Sequence, residues 1–446
     1  MVIFCFLLSK KILYDRIICI KKLLKGYNLQ MQIDKIQRVN IIYPWFDGLS
    51  SDLLFWIAID TLFLSVVKGF SSAQIVSSST ISLVFLIILQ IPLLKIIKKI
   101  GNTNSVRLGA FMLLAASLTF TFCKSYWVMV IGKILYNNAF TFTNMGNVVL
   151  KNNLELKNNQ QQYIKLKTKS NTIYSVITMI ISFVASIFFN YDHYLPMYFC
   201  IFFCFLCFLL SFYIKDYSKY DKIKENNESN EKKSIKKEKL HLTKLIVIMI
   251  VAYGLFYPVA NSGQSDGKLF IQEELLKCFD VSKTSLIIGV MLCISRIVRV
   301  VSNLVFEKIY KKQEEKVGIG LSILLSLSSL FMIIGYFLTG SLFIKFSVMA
   351  LGYIIILFIR DPYRIYVQNE MLNNTEKKNQ QSLLTTLEFS RKLIRAGLSL
   401  LFSFILIKHT MIVNIFIIFG LSLVSITINF ILTNMLKNQK KAWLKL

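Results

Sequence analysis

The chain has 446 residues, 55% of them hydrophobic, with a mean hydropathy of +0.57. A water-soluble protein of this size cannot hide that much apolar surface, so lipid must be the solvent for much of the chain. A net charge of +28 would point to nucleic acid in a soluble protein. Here the loops account for it, and no nucleic-acid partner is expected.

From the amino terminus, MVIFCFLLSKK is too short an apolar run to span a bilayer. The following KKILYDRIICIKKLLKG fits a basic amphipathic helix on the inner leaflet. The alternative is that translation starts at Met31. Residues 1–40 are therefore set apart as a basic segment.

Twelve apolar stretches follow, at about 45–67, 73–94, 106–122, 126–149, 172–189, 195–214, 244–265, 284–306, 317–338, 342–359, 393–407 and 410–436. Irregular backbone cannot face lipid, and barrel strands would alternate over about ten residues, so these predict transmembrane helices. With loops taken alternately inside and outside, the inner loops and termini hold 39 Lys and Arg and the outer loops 6. The positive-inside rule then places both termini in the cytoplasm of a multi-pass protein of the cell membrane.

Ionisable residues inside spans are functional candidates, because each needs a partner or water. On the first span Asp52, Trp56 and Asp60 are spaced i, i+4, i+8 and are expected to share one helix face. Burial disfavours the charged form of a carboxylate, the property a proton-coupling group needs. The fourth span carries Lys133, Asn137, Thr141 and Asn144, a polar stripe that cannot face lipid. Lys133 is the natural partner of the first span's aspartates; a purely structural ion pair is the alternative.

Three cysteines, Cys200, Cys204 and Cys207, lie in one apolar run and read as packing or lipid-facing residues. Without a CxxC pair, and with only His193, His241 and His409, no metal site or cofactor is expected. The polar stretch YSKYDKIKENNESNEKKSIKKEKLHL reads as a flexible linker. It divides the chain into bundles at 41–215 and 244–436, with a linker at 216–243 and a basic tail at 437–446.

The seventh span, VAYGLFYPVANSGQ, carries Tyr253, Tyr257, Asn261 and Gln264 as a stripe, and Gly254 and Pro258 are expected to break its hydrogen-bond ladder. Asp266 follows near the outer end, where pairing with Lys268 or solvation is the plain alternative to a coupling role. The eighth span holds Arg296, Arg299 and Asn303 on one face. Each arginine costs about 2.5–3.5 kcal/mol at mid-membrane. Arg299 can snorkel towards the cytoplasm; Arg296 is too deep and needs an anion, either a carboxylate of the opposite bundle or the cargo. Arg360, Asp361, Arg364 and Glu370, with Glu388, Arg391, Lys392 and Arg395, are expected at the cytoplasmic mouth as an inner-gate network, Arg395 being deepest.

Two echoes relate the halves: KGFSSAQI (68–75) with KCFDVSKT (277–284), and NNLELKNNQQ (152–161) with NNTEKKNQQ (373–381). Parallel six-helix repeats about an axis along the membrane normal mark transporters. In this layout the chain resembles the major facilitator superfamily from about residue 40 onward. That family's G-x-x-x-D-[RK]-x-G-[RK]-[RK] motif falls on LKIIKKIGNT (94–103), where Gly101 is kept but Leu94 and Lys98 replace Gly and Asp. Its weaker copy falls on NLVFEKIYKK (303–312), where Glu307, Lys308, Lys311 and Lys312 fit and Asn303 and Tyr310 do not.

The resemblance implies an all-α membrane protein of twelve helices in two six-helix bundles related by a pseudo-two-fold axis, rocking about a central cavity. No Walker A sequence is present, GKI at 132–134 lacking the Ser/Thr and the preceding glycine. The expectation is a monomeric, non-enzymatic secondary transporter coupled to protons, moving an anionic or zwitterionic small molecule. Amphipathic drug efflux is the alternative, and a membrane-embedded transferase, a channel and a receptor are remote ones.

Overall fold

The computed structural model describes residues 34–157, 162–218, 243–313, 316–374 and 380–443. The described residues are helical with short connections and contain no strand, as lipid requires of a chain whose backbone groups must pair internally. Residues 34–50 form α1. Then come α2 (Trp56–Leu62) with a π turn at Phe63–Val67, α3 (Ser72–Ile100), α4 (Asn102–Phe122), α5 (Tyr126–Thr143), α6 (Met145–Leu156), α7 (Gln162–Tyr191) and α8 (Leu195–Ser211). Beyond the linker are α9 (Lys244–Cys278), α10 (Val281–Gln313), α11 (Val317–Phe337), α12 (Leu342–Asn373), α13 (Gln380–Ile405) and α14 (Met411–Trp443).

The apolar stretches fall largely on helices, the first (45–67) and the fourth (126–149) each divided between two. Eight helices are long and apolar enough to cross a membrane, which makes this a multi-pass membrane protein. The other stretches are shorter, at Trp56–Val67 and Leu195–Ser211, or are diluted by polar residues, on α5 and α13. Helices pack mainly within 34–218 or within 243–443; the principal contacts between these parts are α7 with α10 and α3 with α13.

The first span is not the single helix its hydropathy suggested. The chain leaves α1 at Ser51 and re-enters helix at Trp56, with Phe55 in the left-handed region at φ 68°. Short polar side chains cause the break by bonding the local backbone in place of the helix ladder. Ser51 Oγ donates to the Asp47 carbonyl, and Asp52 Oδ1 accepts from the Leu53 amide at 2.9 Å. The Phe55 ring is held by Phe188, Phe199 and Phe203, with centroids 5.5–6.0 Å away. The i, i+4, i+8 spacing therefore does not give Asp52, Trp56 and Asp60 a common face.

The seventh span differs in the other direction. Pro258 does not interrupt it: α9 runs unbroken through Pro258 and on to Cys278, well past the expected end at residue 265. Proline removes one donor, but a helix packed on several sides tolerates that loss. Gly254 serves close packing: a Cβ there would come within 2.9 Å of Ile394 and 3.3 Å of Ser390 on α13.

The first pair of echoed segments has one local structure. Ser71 caps α3 by accepting from the Gln74 amide, and Asp280 caps α10 by accepting from the Lys283 amide, each three residues on. Residues 1–33, most of the linker (219–242), most of the 373–381 echo and the side chain of Glu307 lie outside what the structure describes.

A polar knot anchors the connections after α3, α6 and α8. Asp216 is 4% exposed and accepts from Asn102 Nδ2 at 3.0 Å and Asn152 Nδ2 at 2.8 Å. Its own amide donates to Thr103 Oγ1 at 3.0 Å. Asn102 and Thr103 belong to the degraded motif, so amide and hydroxyl groups bond here where the family pattern has charges. Asp216→Ala leaves both asparagine amides short of their acceptor and is expected to cost about 2 kcal/mol. The readout is the midpoint of thermal unfolding in detergent; an unchanged midpoint would show that the knot contributes nothing.

Candidate functional site

A cavity of about 270 Å³ lies between the two parts of the chain. Of the expected cargo or coupling residues, Trp56, Asp60, Lys133, Asn137, Asn261, Gln264 and Arg296 line it, and so do Asp266 and Arg395. The lining does not include Asp52, Thr141, Asn144, Tyr257 or Arg299, nor Pro258, Asp361, Glu388 or Arg391.

Each of these positions has a local cause. Trp56 stacks on Phe120, with ring centroids 4.2 Å apart and planes 1° from parallel, forming one apolar wall. Asp52 lies behind that wall, accepting from the hydroxyls of Tyr136 and of Tyr174, the latter at 3.4 Å. Asn137 donates to Ser82 Oγ at 2.6 Å. Asn144 is exposed, because α5 ends at Thr143 and the stripe turns away at the α5–α6 junction.

The ion pairing differs from the sequence expectation in three places. Lys133 does not meet an aspartate: its Nζ donates to the Ile75 carbonyl at 2.9 Å and to Ser79 Oγ at 2.7 Å. Lys268 does not serve Asp266. Instead it crosses to the other part of the chain, 2.5 Å from Asp60 Oδ1, and donates to the Ile57 and Ala58 carbonyls at 3.1 and 3.0 Å. The Thr61 amide donates to the same Asp60 Oδ1 at 2.8 Å, so the carboxylate and the two carbonyls form one acceptor group around the ammonium. Arg299 is paired within the protein: its Nε lies 2.6 Å from Asp361 Oδ2, and Arg360 Nε lies 3.6 Å from the other oxygen, Oδ1.

Two cavity charges are left over. Arg296 is 7% exposed, and its Nε has no hydrogen-bond partner among the described residues. Asp266 is 5% exposed; Ser265 Oγ donates to its Oδ1 at 3.1 Å, while its Oδ2 has none. Four basic side chains (Lys133, Lys268, Arg296, Arg395) and two acidic ones (Asp60, Asp266) give the lining a formal excess of two positive charges. The sequence reading named Lys268 only as a possible partner of Asp266, and it missed Tyr136, Tyr353 and the serines Ser79 and Ser82. The cross-chain role of Lys268 was hidden because the span was ended before Asp266 and Lys268.

Beyond the cavity, Tyr253 donates to Glu388 Oε1 at 2.9 Å, Glu388 pairs with Arg391 at 2.8 Å, and Arg391 lies 4.9 Å over the Tyr257 ring. Hydrogen bonds joining the two parts gather at the opposite end, near residues 68–71 and 279–280. Gln272 Nε2 donates to Ser65 Oγ at 2.7 Å, Ser72 Oγ donates to Glu273, and Ser285 Oγ donates to the Ser186 carbonyl at 3.3 Å. Gly289 makes the α7–α10 approach possible, since a Cβ there would sit 2.2 Å from Ser186 Oγ. Thr80 continues the seam towards α13, with Ser399 and Ser403 hydroxyls at 2.6 and 2.8 Å.

No protein-family model and no curated protein matches the sequence. Solved structures do match in fold. The nucleoside transporter NupG aligns at a TM-score of 0.63 and 12% identity, over 92% of this chain and 99% of that one. A bacterial homologue of the iron transporter ferroportin, in an inward-facing state, aligns at 0.63 and 10%, over 89% and 98%. A D-xylose–proton symporter aligns at 0.62 and 11%, over 88% and 97%. The chain thus shares the fold of these transporters over nearly its whole length. At these identities the likeness is one of architecture, and the cargo has to be read from this chain's own cavity.

Proposed function

We propose that this protein is a secondary active transporter that moves a small anionic or zwitterionic molecule across the cell membrane by alternating access. The observation that carries the reading is the closed-ended, charge-lined cavity between two helical parts, sealed on one side by a seam of polar contacts. In this reading twelve helices form two six-helix bundles with pseudo-two-fold symmetry, the termini are cytoplasmic and the chain acts as a monomer. The loops at the sealed end are those with few basic residues, so the seam is the outer gate and the cavity serves the cytoplasmic side.

Both size and charge bear on the cargo. A cavity of about 270 Å³ falls below the range of about 300–1,000 Å³ usual for drug-sized ligands, which favours a compact metabolite over a bulky amphipathic drug. The positive excess of the lining opposes a metal ion or other cation. Asp60 and Asp266 are the groups assigned to proton coupling: one holds the gate lysine and the other keeps an oxygen free. The test is a panel of small anions presented to proteoliposomes that enclose a pH-sensitive dye. The expected result is cargo-dependent proton movement that Asp266→Asn weakens. Uptake without any proton movement would remove the coupling assignment and leave facilitated transport.

A further inference from the structure

The gating network expected at the cytoplasmic mouth contains more positive charge than a gate needs. Arg391 lies over the Tyr257 ring, and Arg299, Arg360, Arg364 and Arg395 gather around the same tyrosine. Arg360 is close enough to Arg296 and Arg299, and Arg395 to Arg391 and Arg360, for each pair to repel. Asp361 serves Arg299 and Arg360, and Glu388 serves Arg391. Among the described residues, Arg296, Arg364 and Arg395 have no ion-pair partner within 4 Å; Asp52 attracts Arg296, Asp361 and Glu388 attract Arg364, and Asp266 attracts Arg395, each only from farther away.

Like charges converging in a low-dielectric setting are unfavourable unless an anion joins them. Guanidinium forks suit carboxylate and phosphate oxygens in particular. Arg296 and Arg395 both line the cavity, on α10 and α13, so they can take two ends of one molecule. We infer that the cargo is a compact anion with at least two negative charges, a dicarboxylate or a phosphate ester, captured at the Tyr257 arginine cluster and held between Arg296 and Arg395. This deepens the transporter reading and rests on it.

The experiment is equilibrium binding to the purified full-length chain in detergent, at constant ionic strength and neutral pH. The probes are acetate, succinate, phenyl phosphate, ribose and choline. Succinate or phenyl phosphate is expected to bind about tenfold or more tighter than acetate, and Arg296→Gln or Arg395→Gln to lose about tenfold. Arg296→Lys, which keeps the charge, guards against misfolding: it should melt like the parent without ligand and retain part of the dianion preference. Arg364 does not line the cavity, and Arg364→Gln is expected to weaken binding by only about threefold. Equal binding of acetate and succinate, tightest binding of choline or ribose, or no binding of any probe would each overturn the inference. Dianions that bind but are never carried across a liposome membrane would instead overturn transport and leave the anion site standing.

Discussion

Arg296→Ala is expected to lower cargo uptake by about a hundredfold while leaving the protein folded. Truncating one side of a buried, hydrogen-bonded charge pair costs about 2–5 kcal/mol, and each 1.4 kcal/mol is a factor of ten. Among the described residues Arg296 Nε has no hydrogen-bond partner, so the group whose removal would be felt is the bound anion. Arg299→Ala should show the opposite pattern. It strands Asp361, which is 5% exposed, with only the more distant Arg360, and is expected to destabilise the fold by about 3 kcal/mol with a milder effect on uptake per folded molecule. Uptake in proteoliposomes and melting in detergent, measured on both variants, separate the two roles. Two fully active variants would remove both arginines from the site.

The second large effect concerns Lys268. This lysine, 6% exposed, bridges the two parts of the chain through Asp60 and two α2 carbonyls. Lys268→Met removes all three contacts at the sealed end. Because Asp60 is a third exposed, the pair is worth less than a fully buried one, and about 2 kcal/mol is a reasonable magnitude. That would change the ratio of sealed to open molecules about thirtyfold. Spin labels on the native Cys278 and on Gly69→Cys, in a background with the other cysteines removed, read the separation directly. The distance distribution should shift to longer values in Lys268→Met and be restored towards the parent in Lys268→Arg. An unchanged distribution would mean that the serine and glutamine contacts alone hold the gate.

Much of the architecture was legible because lipid imposes simple rules. Apolar length marked the long helices but not α1 or α6 as separate elements, and the echo of KGFSSAQI in KCFDVSKT, read as a repeat, falls on two helix starts with the same kind of cap. The cavity was partly legible, since Asp60, Lys133, Asn137, Asn261, Gln264 and Arg296 were picked out as polar groups in costly places and the fold brings them together. Pairing was not legible. Helical spacing assumes an unbroken helix, and local bonds from Ser51 and Asp52 break the first span, sending Asp52 to two tyrosines. Hydropathy ended the seventh span at residue 265, because the charged Asp266 and Lys268 look like a membrane boundary when their partners are unseen. Cross-chain partners such as Arg299 with Asp361, or Lys268 with Asp60, depend on tertiary packing that no local period encodes.

The central claim is that one cavity, organised by Arg296, carries a small anion across the membrane. Counterflow tests it most directly, because the exchange is driven by the loaded unlabelled cargo and needs no ion gradient and no assumption about the coupling ion. Proteoliposomes loaded with unlabelled succinate or phenyl phosphate are predicted to accumulate the labelled compound transiently, and Arg296→Ala vesicles to show none. Absence of counterflow for every small anion tried, in vesicles whose protein melts cooperatively after extraction, would contradict the account.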